Sequence, residues 1–282
     1  MSETAERHYT RGFFEQIRSG SRRSAEVVVP LISQFLRVSS MVDVGCGEGN
    51  WLAVFREHGV KETIGMDGEY VSRDALQIPQ ECFRAIDLTK AFDLGRVFDL
   101  AISLEVAEHL PAACAPGFVA SLCSLSEAVL FSAAVPFQGG NQHLNEQWPD
   151  YWAGMFRKHG YFPVDCIRKR VWQNEAVEWW YAQNMLLFVS EEALRSNQVL
   201  KEEFEKTSGE QLRLIHPRNY LEVVMPGVRG ALRLLVDSVA RAVRKRIAAA
   251  GAGKRLSKGT GSLDSVGIDA AARKSFRRND GR

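Results

Sequence analysis

The sequence predicts an α/β fold: a doubly wound, mostly parallel sheet with helices on both faces. Three observations predict it. Strand and helix signals alternate from about residue 26 to 135. A glycine-rich turn, Gly45-Cys46-Gly47-Glu48-Gly49, joins the first strand of that run to its first helix. Acids then recur where strands end, at Asp67, Asp87 and Glu105. Alternation of this kind requires crossover connections, and crossovers place parallel strands side by side.

Each element follows from local pattern. "MVDVG" (41–45) is an apolar run of the buried-strand type, and "GNWLAVFREHG" (49–59) is helical. Trp51, Leu52, Phe55 and His58 recur there at helical spacing, and Gly59 is the stop. "TIGMD" (63–67), "CFRAID" (82–87), "VFDLAISLE" (97–105) and "EAVLFSAAVP" (127–136) read as further strands, with a helix near 113–125. A polar loop, "FQGGNQHLNEQWPD", leads to a helix near 148–159 that stops at Gly160. Two β-rich runs, "YFPVDCIRKRVW" and "NMLLFVSEE", read as adjacent strands closing one edge, for seven in all. Residues 191–227 carry mixed signals. Residues 228–249 read as an amphipathic helix with Leu232, Leu235, Val236, Val239, Val243 and Ile247 on one face.

Composition excludes several classes. Hydrophobic residues make up 45% of the 282 and charged residues 25%, an ordinary globular balance. No run of about 18 apolar residues predicts a membrane span. The N-terminus is polar and lacks the apolar centre of a signal peptide. Cys46, Cys82, Cys114, Cys123 and Cys166 form no CxxC pair, which reads as reduced thiols and a cytoplasmic location. The net charge of +2 conceals an asymmetry: residues 228–258 hold nine basic residues against Asp237 alone, so the remainder is acidic. An acidic body argues against nucleic acid as a partner.

The glycine loop implies a ligand held against bare backbone. A dinucleotide loop would place a third glycine at position 50, which is Asn50, and Glu48 adds negative charge where a pyrophosphate would sit. A ligand without phosphates fits better. S-adenosylmethionine offers a sulfonium, an ammonium, one carboxylate and an adenosine. Asp43 can face its cationic end, Asp67 its ribose hydroxyls and Asp87 its adenine amino group, with Leu88 alongside.

The stretches "VDVGCGEGNWL", "IGMDGEY", "FRAIDLT" and "FDLAISLEVAEHLP" resemble, in order and spacing, the class I S-adenosylmethionine-dependent methyltransferases. The resemblance covers roughly residues 26–190. It implies a Rossmann-like, seven-stranded, mostly parallel sheet with an antiparallel last strand. It also implies cofactor contacts from Asp43, Gly45, Cys46, Gly47, Gly49, Asp67, Gly68, Asp87, Leu88 and Glu105. The reaction it implies is in-line methyl transfer to a nucleophilic O, N, S or C, in which the protein chiefly positions the acceptor and excludes water.

"LEVAEHL" places Glu105, Glu108 and His109 at i, i+3 and i+4, which share one face if the segment is helical. They can ligate Mg²⁺ or Mn²⁺. His143, in the loop after the fifth strand, can be a fourth ligand or a general base. ExxEH with a distant His resembles two metal-using branches: ubiquinone-biosynthesis O-methyltransferases and small-RNA 3′-terminal 2′-O-methyltransferases. In those branches a cation would lower the pKa of a hydroxyl. His143, Glu108 and His109 are therefore the candidate catalytic residues. The bland reading has Glu105 lining the cofactor pocket and the histidines packing or capping.

Trp148, Tyr151, Trp152 and Phe156 share a helical face and read first as core, with Trp148 and Tyr151 available as a wall for an acceptor. Trp172, Trp179, Trp180 and Tyr181 add a tryptophan-rich rim near the last strands. "GSRRSAEVVVP", "FSAAVPFQGGNQHLNEQWPDYW" and "WYAQN" resemble a bacterial methyltransferase subgroup that often accompanies surface-glycan or secondary-metabolite pathways. The expectation is O-methylation of a small-molecule or sugar hydroxyl. An RNA 2′-O-methyltransferase and a non-catalytic cofactor-binding scaffold are the alternatives. The expected organisation is a helical lead-in (1–25), the cofactor-binding domain (26–190), a mostly helical C-terminal extension (191–249) and a disordered basic tail (250–282). The 228–249 helix reads as a docking or self-association seam, with peripheral contact to an anionic membrane as the second reading.

Overall fold

The structure is a computed structural model. It describes residues 11–225 and six positions of 231–239, with side chains from Gly20 onward except at Glu210. The chain divides into two units, Met1–Met225 and Pro226–Arg282. In the second, the described positions are helical, and Leu232, Leu235, Val236 and Val239 are exposed. Val243, Ile247 and the expected tail lie outside the described residues. Among the described residues no helix is long and apolar enough to cross a membrane.

The first unit is one sheet with helices on both faces. Its strands are β1 (Ser40–Val44), β2 (Glu62–Asp67), β3 (Phe83–Ala85), β4 (Leu100–Leu104), β5 (Ala128–Ser132), β6 (Tyr161–Val164) and β7 (Leu186–Ser190). The order is β3-β2-β1-β4-β5-β7-β6. The first five run parallel, and β7 runs antiparallel to both β5 and β6. The expected seven-stranded, Rossmann-like sheet with an antiparallel last strand is the one observed. The order reverses between β1 and β4, which opens a crevice beyond their carboxyl ends.

Period-two alternation builds both cores. Met41, Leu100, Ile102, Leu130 and Leu187 face one side, where they meet α1 (Arg11–Ile32) and α2 (Asn50–Glu57). Val42, Val44, Ala101, Val129, Phe131 and Phe188 face the other, against α3 (Ala115–Leu125) and α4 (Pro149–Arg157). There Phe156 stacks on Phe188 at 4.0 Å and 9°. Trp152 and Phe156 are core, as their helical spacing predicts, whereas Trp148 and Tyr151 are only half-buried. α1 runs continuously through residue 25 and packs its Val28, Val29 and Ile32 into the core.

The sequence reading of 161–172 as one strand is corrected. β6 stops at Val164, and α5 (Arg168–Val171) follows. A side-chain bond ends the strand. Arg168 donates from Nε and Nη2 to both oxygens of Asp165, at 2.9 and 2.8 Å, across an i,i+3 spacing that a turn brings together. The tryptophan-rich block lies between the two paired strands and is helical at its end. That end forms α6 (Trp179–Asn184), so β6 and β7 pair across a long excursion. β3, β4 and β5 are shorter than expected at one or both ends. Beyond β7 lie α7 (Glu191–Ser196), α8 (Gln198–Glu205) and α9 (Pro217–Val224). Ser190 and Asn197 cap the first two by accepting from backbone N–H groups.

Arg168 is fully buried. Besides Asp165 it donates to the carbonyls of Gln183, Leu212 and Gln211 at 3.2, 2.9 and 3.2 Å. Replacing it strands a buried carboxylate and three carbonyls. Arg168→Met is expected to cost about 3–5 kcal/mol in urea unfolding. A loss below about 1 kcal/mol, the range of surface ion pairs, would sink this role.

Candidate active site

β1 delivers the chain into the glycine loop beside the end of β2. Gly45 N and Cys46 N both donate to Met66 O, at 2.7 and 3.1 Å. Gly45 has φ 86°, and a Cβ there would meet Val106 Cγ2 at 2.3 Å, so only glycine fits. Gly47 has φ 53°, and a Cβ there would meet nothing within 4 Å. The loop thus presents bare backbone to open space at Gly47. Asp67 holds that shape. Its Oδ2 accepts from Gly47 N at 2.7 Å, and its Oδ1 accepts from Gly68 N at 2.7 Å and from the Tyr70 hydroxyl.

Asp43 is buried beside Asp67, and burial followed by the Asp67 charge pushes its carboxyl well above the usual range. A buried pair of acids favours a cation. The sulfonium and ammonium of S-adenosylmethionine match that demand, and Gly47 leaves room beside it. Cys46 is buried, and burial pushes its thiol far up, so it lines the loop as a neutral group. Asp87 stands apart. It is exposed beyond β3 and accepts from Thr89 N and Thr89 Oγ1, at 3.0 and 2.5 Å, and pairs with Lys90. The Thr89 hydroxyl bond is the largest cause holding its carboxyl below the usual range. Leu88 beside it is buried.

The second half of the site begins where β4 ends. Glu105 has φ 58°, a left-handed conformation rare for a side-chain-bearing residue, and donates its N–H to Ser132 O and Oγ at 3.0 and 3.1 Å. A 3-10 turn, Ala107–His109, follows. This corrects the expectation that Glu105, Glu108 and His109 share one helical face, because Glu105 precedes the turn in left-handed backbone and only Glu108 and His109 lie on it. Glu105 accepts instead from Asn184 Nδ2, at 3.1 and 3.3 Å, and from Gln138 Nε2 at 3.1 Å.

Glu108, His109 and His143 do converge, with ligand atoms within 4.8 Å of one another. The two rings meet edge to face at 4.9 Å. Glu108 has no exposed surface, and neither carboxylate oxygen has a hydrogen-bond partner. Its carbonyl accepts from Leu144 N and Asn145 N at 2.8 and 2.9 Å, which fastens the His143 loop to the turn. Burial and then the Glu105 charge push the Glu108 carboxyl well up. Burial also raises Glu105, against the lowering bonds from Asn184, Ser132 and Gln138. Burial and then His143 lower His109, which keeps its ring neutral.

Sequence reasoning missed the residues that orient these groups. His143 Nδ1 bonds Glu146 Oε1 at 2.9 Å, which fixes the ring. Glu146 also accepts from Phe137 N and Gly139 N, both at 2.9 Å. Burial pushes Glu146 up, but these bonds outweigh it and hold the carboxyl below its usual range. The i,i+3 His–Glu spacing was the available signal. Gln138 and Asn184 carried none, because both meet Glu105 only through the sheet. Tyr181 is buried and pushed up by burial to about 12, and both Glu105 and Asp43 act on it. The two acidic pairs therefore border one cleft.

Asp43 yields a sign-definite prediction. Its carboxyl titrates higher folded than unfolded, so ionisation is penalised only in the fold. The penalty starts above the unfolded value and grows with pH until the folded value is passed. Asp43→Asn is expected to raise the melting temperature of the ligand-free protein near pH 8 by about 2–4 °C, as for about 1 kcal/mol in a domain of this size. The gain should shrink as pH falls into the ordinary carboxylate range. A lower melting temperature at pH 8 would contradict it.

A family profile for methyltransferase domains matches residues 15–176. No match is found among curated proteins. Among solved structures, the chain is similar to magnesium protoporphyrin IX methyltransferase from Synechocystis PCC 6803 with bound SAH, at 20% identity over 63% of this chain and 88% of that one, with TM-score 0.46. It is similar to an O-methyltransferase family protein from Burkholderia thailandensis at 17% identity, over 63% and 58%, with TM-score 0.46. It is similar to DesVI from Streptomyces venezuelae at 15% identity, over 67% and 99%, with TM-score 0.47. The profile spans more than half of the chain, from α1 through the glycine loop, the ExxEH turn and the His143 loop, and the chain belongs to this methyltransferase-domain family as an S-adenosylmethionine-dependent methyltransferase.

Proposed function

We propose that the enzyme methylates a hydroxyl oxygen of a small molecule or sugar, aided by a divalent cation held by Glu108, His109 and His143. One observation carries the reading: the Glu108 carboxylate is fully buried with both oxygens unpartnered, against two imidazoles. Such a group costs several kcal/mol unless it is protonated or meets a cation. One carboxylate and two imidazoles suit Mg²⁺ less well than Mn²⁺ or a softer first-row ion.

A cation there would polarise an acceptor hydroxyl and lower its pKa toward neutrality. The protein's own groups do the rest. Glu146 fixes the His143 ring through its Nδ1. Asn184 and Gln138 hold Glu105 beside Glu108, where its charge strengthens the demand for a cation. Asp43 and Gly47 hold the donor's charged end so that the methyl faces the acceptor. The carbon–sulfur bond breaks as the carbon–oxygen bond forms, and the acceptor's proton is lost to solvent. The acidic body supports a neutral acceptor over an RNA 2′-hydroxyl. The basic segment 228–258 would then act as a docking seam rather than as a nucleic-acid groove.

Chelation is the direct test: turnover should vanish in excess chelator and return with Mn²⁺ or Mg²⁺. Full turnover in chelator would rule out the ion. Glu108→Gln should weaken Mn²⁺ binding by about 100-fold or more, exceeding the 10–100-fold typical of an outer partner. Glu146→Gln should fall within that smaller range. His143→Ala should abolish most turnover while calorimetry shows donor affinity unchanged. Unchanged turnover would remove His143 from the chemistry.

A further inference from the structure

A cavity of about 230 Å³ lies away from the glycine loop, between the α5–α6 connection and the start of α9. Trp172, Asn174, Glu175, Trp179, His216 and Arg218 are among the residues that line it. At about 30 Å³ per water it holds roughly seven to eight waters, too many for an ion site and enough for one six-membered ring. Its chemistry is mixed. Two indoles supply apolar surface, and an amide, a carboxylate and a guanidinium supply donors and acceptors on the same wall. Arg218 and Glu175 bring one charge of each sign to the lining, so the formal charge there sums to zero.

We propose that this cavity is an acceptor subsite for a neutral sugar unit, one that is not itself methylated. The proposal rests on the sugar-hydroxyl reading above and names where a longer acceptor is gripped. A pyranose has an apolar face of C–H groups and an edge of vicinal hydroxyls. An indole face takes the first, and planar side chains that present paired donors or acceptors take the second.

The wall is built rather than incidental. The Trp172 and His216 rings lie 4.9 Å apart. His216 Nε2 donates to Trp172 O at 2.9 Å, and its Nδ1 accepts from Arg218 N at 3.2 Å, so the ring is locked between the cavity's two sides.

The wall is also wired to the catalytic carboxylates. His216 N and Asn219 Nδ2 donate to Gln183 Oε1 at 2.8 and 3.0 Å. Gln183 Nε2 donates to Gln138 Oε1 at 3.0 Å, and Gln138 Nε2 donates to Glu105 at 3.1 Å. Gln183 is fully buried, so this chain of amides is not diluted by solvent. Along α6, Trp179 at the cavity and Asn184 at Glu105 are five residues apart, about 7.5 Å of helix rise. The helix that lines the cavity at its head therefore positions Glu105 at its tail.

The test uses the full chain saturated with S-adenosylhomocysteine and a panel of neutral disaccharides: maltose, cellobiose, lactose and sucrose. Binding is followed by saturation-transfer NMR and calorimetry. At least one disaccharide should bind, and Trp172→Ala and Glu175→Ala should each weaken it by about tenfold or more. S-adenosylhomocysteine affinity should not change. Glu175 is exposed, so its variant remains informative if Trp172→Ala fails to fold. No binding in the panel, or binding that both folded variants retain, overturns the subsite. Methyl transfer to the same disaccharides is measured separately. Variant-sensitive binding without transfer supports the subsite and removes the sugar-hydroxyl reading. Transfer that both variants leave unchanged overturns the subsite.

Discussion

Arg168 is the interaction on which the acceptor side of the molecule depends. Its guanidinium is wholly inside the protein, and its nitrogens are spent on Asp165 and on three carbonyls from two separate segments. A buried cation tolerates little displacement, because any lost bond exposes a charge to a medium that cannot solvate it. That intolerance locates the end of β6, the end of α6 and residues 211–212 relative to one another. Gln183 follows from α6, and Gln183 places both the start of α9 and Gln138. Glu105 takes its position from Gln138 and Asn184. The geometry at the cleft is thus set by a residue that touches no reactant.

The cleft itself is organised by unresolved negative charge. Asp43 with Asp67, and Glu105 with Glu108, are two acidic pairs at the carboxyl ends of parallel strands. In each pair, burial and the neighbouring acid push one carboxyl well up. Asp67 and Glu105 are held by hydrogen bonds, whereas the carboxyls of Asp43 and Glu108 carry the burial cost. The second pair, with two imidazoles close by, has the composition of a metal cradle.

Period and chemistry made much of this legible in one dimension. The strands β1, β2, β4 and β5 are apolar runs, and their alternation sorts residues to the two cores without any knowledge of neighbours. The glycine loop is legible because three residues there adopt φ values that other residues avoid. Glu108, His109 and His143 are legible as residue types able to bind metal. Their common helical face with Glu105 was not, since a single left-handed residue reverses a side chain and has no mark in composition. The false strand over 161–172 failed for a similar reason. Its β-branched and aromatic content is real, but an Asp165–Arg168 bond outweighs strand propensity once both groups are buried.

The sequence by itself determined the sheet, the crevice at its strand ends and the methyl donor, because these depend on periodicity, on glycine's conformational freedom and on acids at fixed local positions. The tertiary structure alone decided which acids pair, which histidine nitrogen Glu146 takes, and that Gln138, Gln183 and Asn184 tie the cavity wall to Glu105. Those contacts join residues 33 to 79 positions apart, through side chains whose types are common on any surface. Their meaning comes from burial, which turns an ordinary amide into one that must find a specific partner.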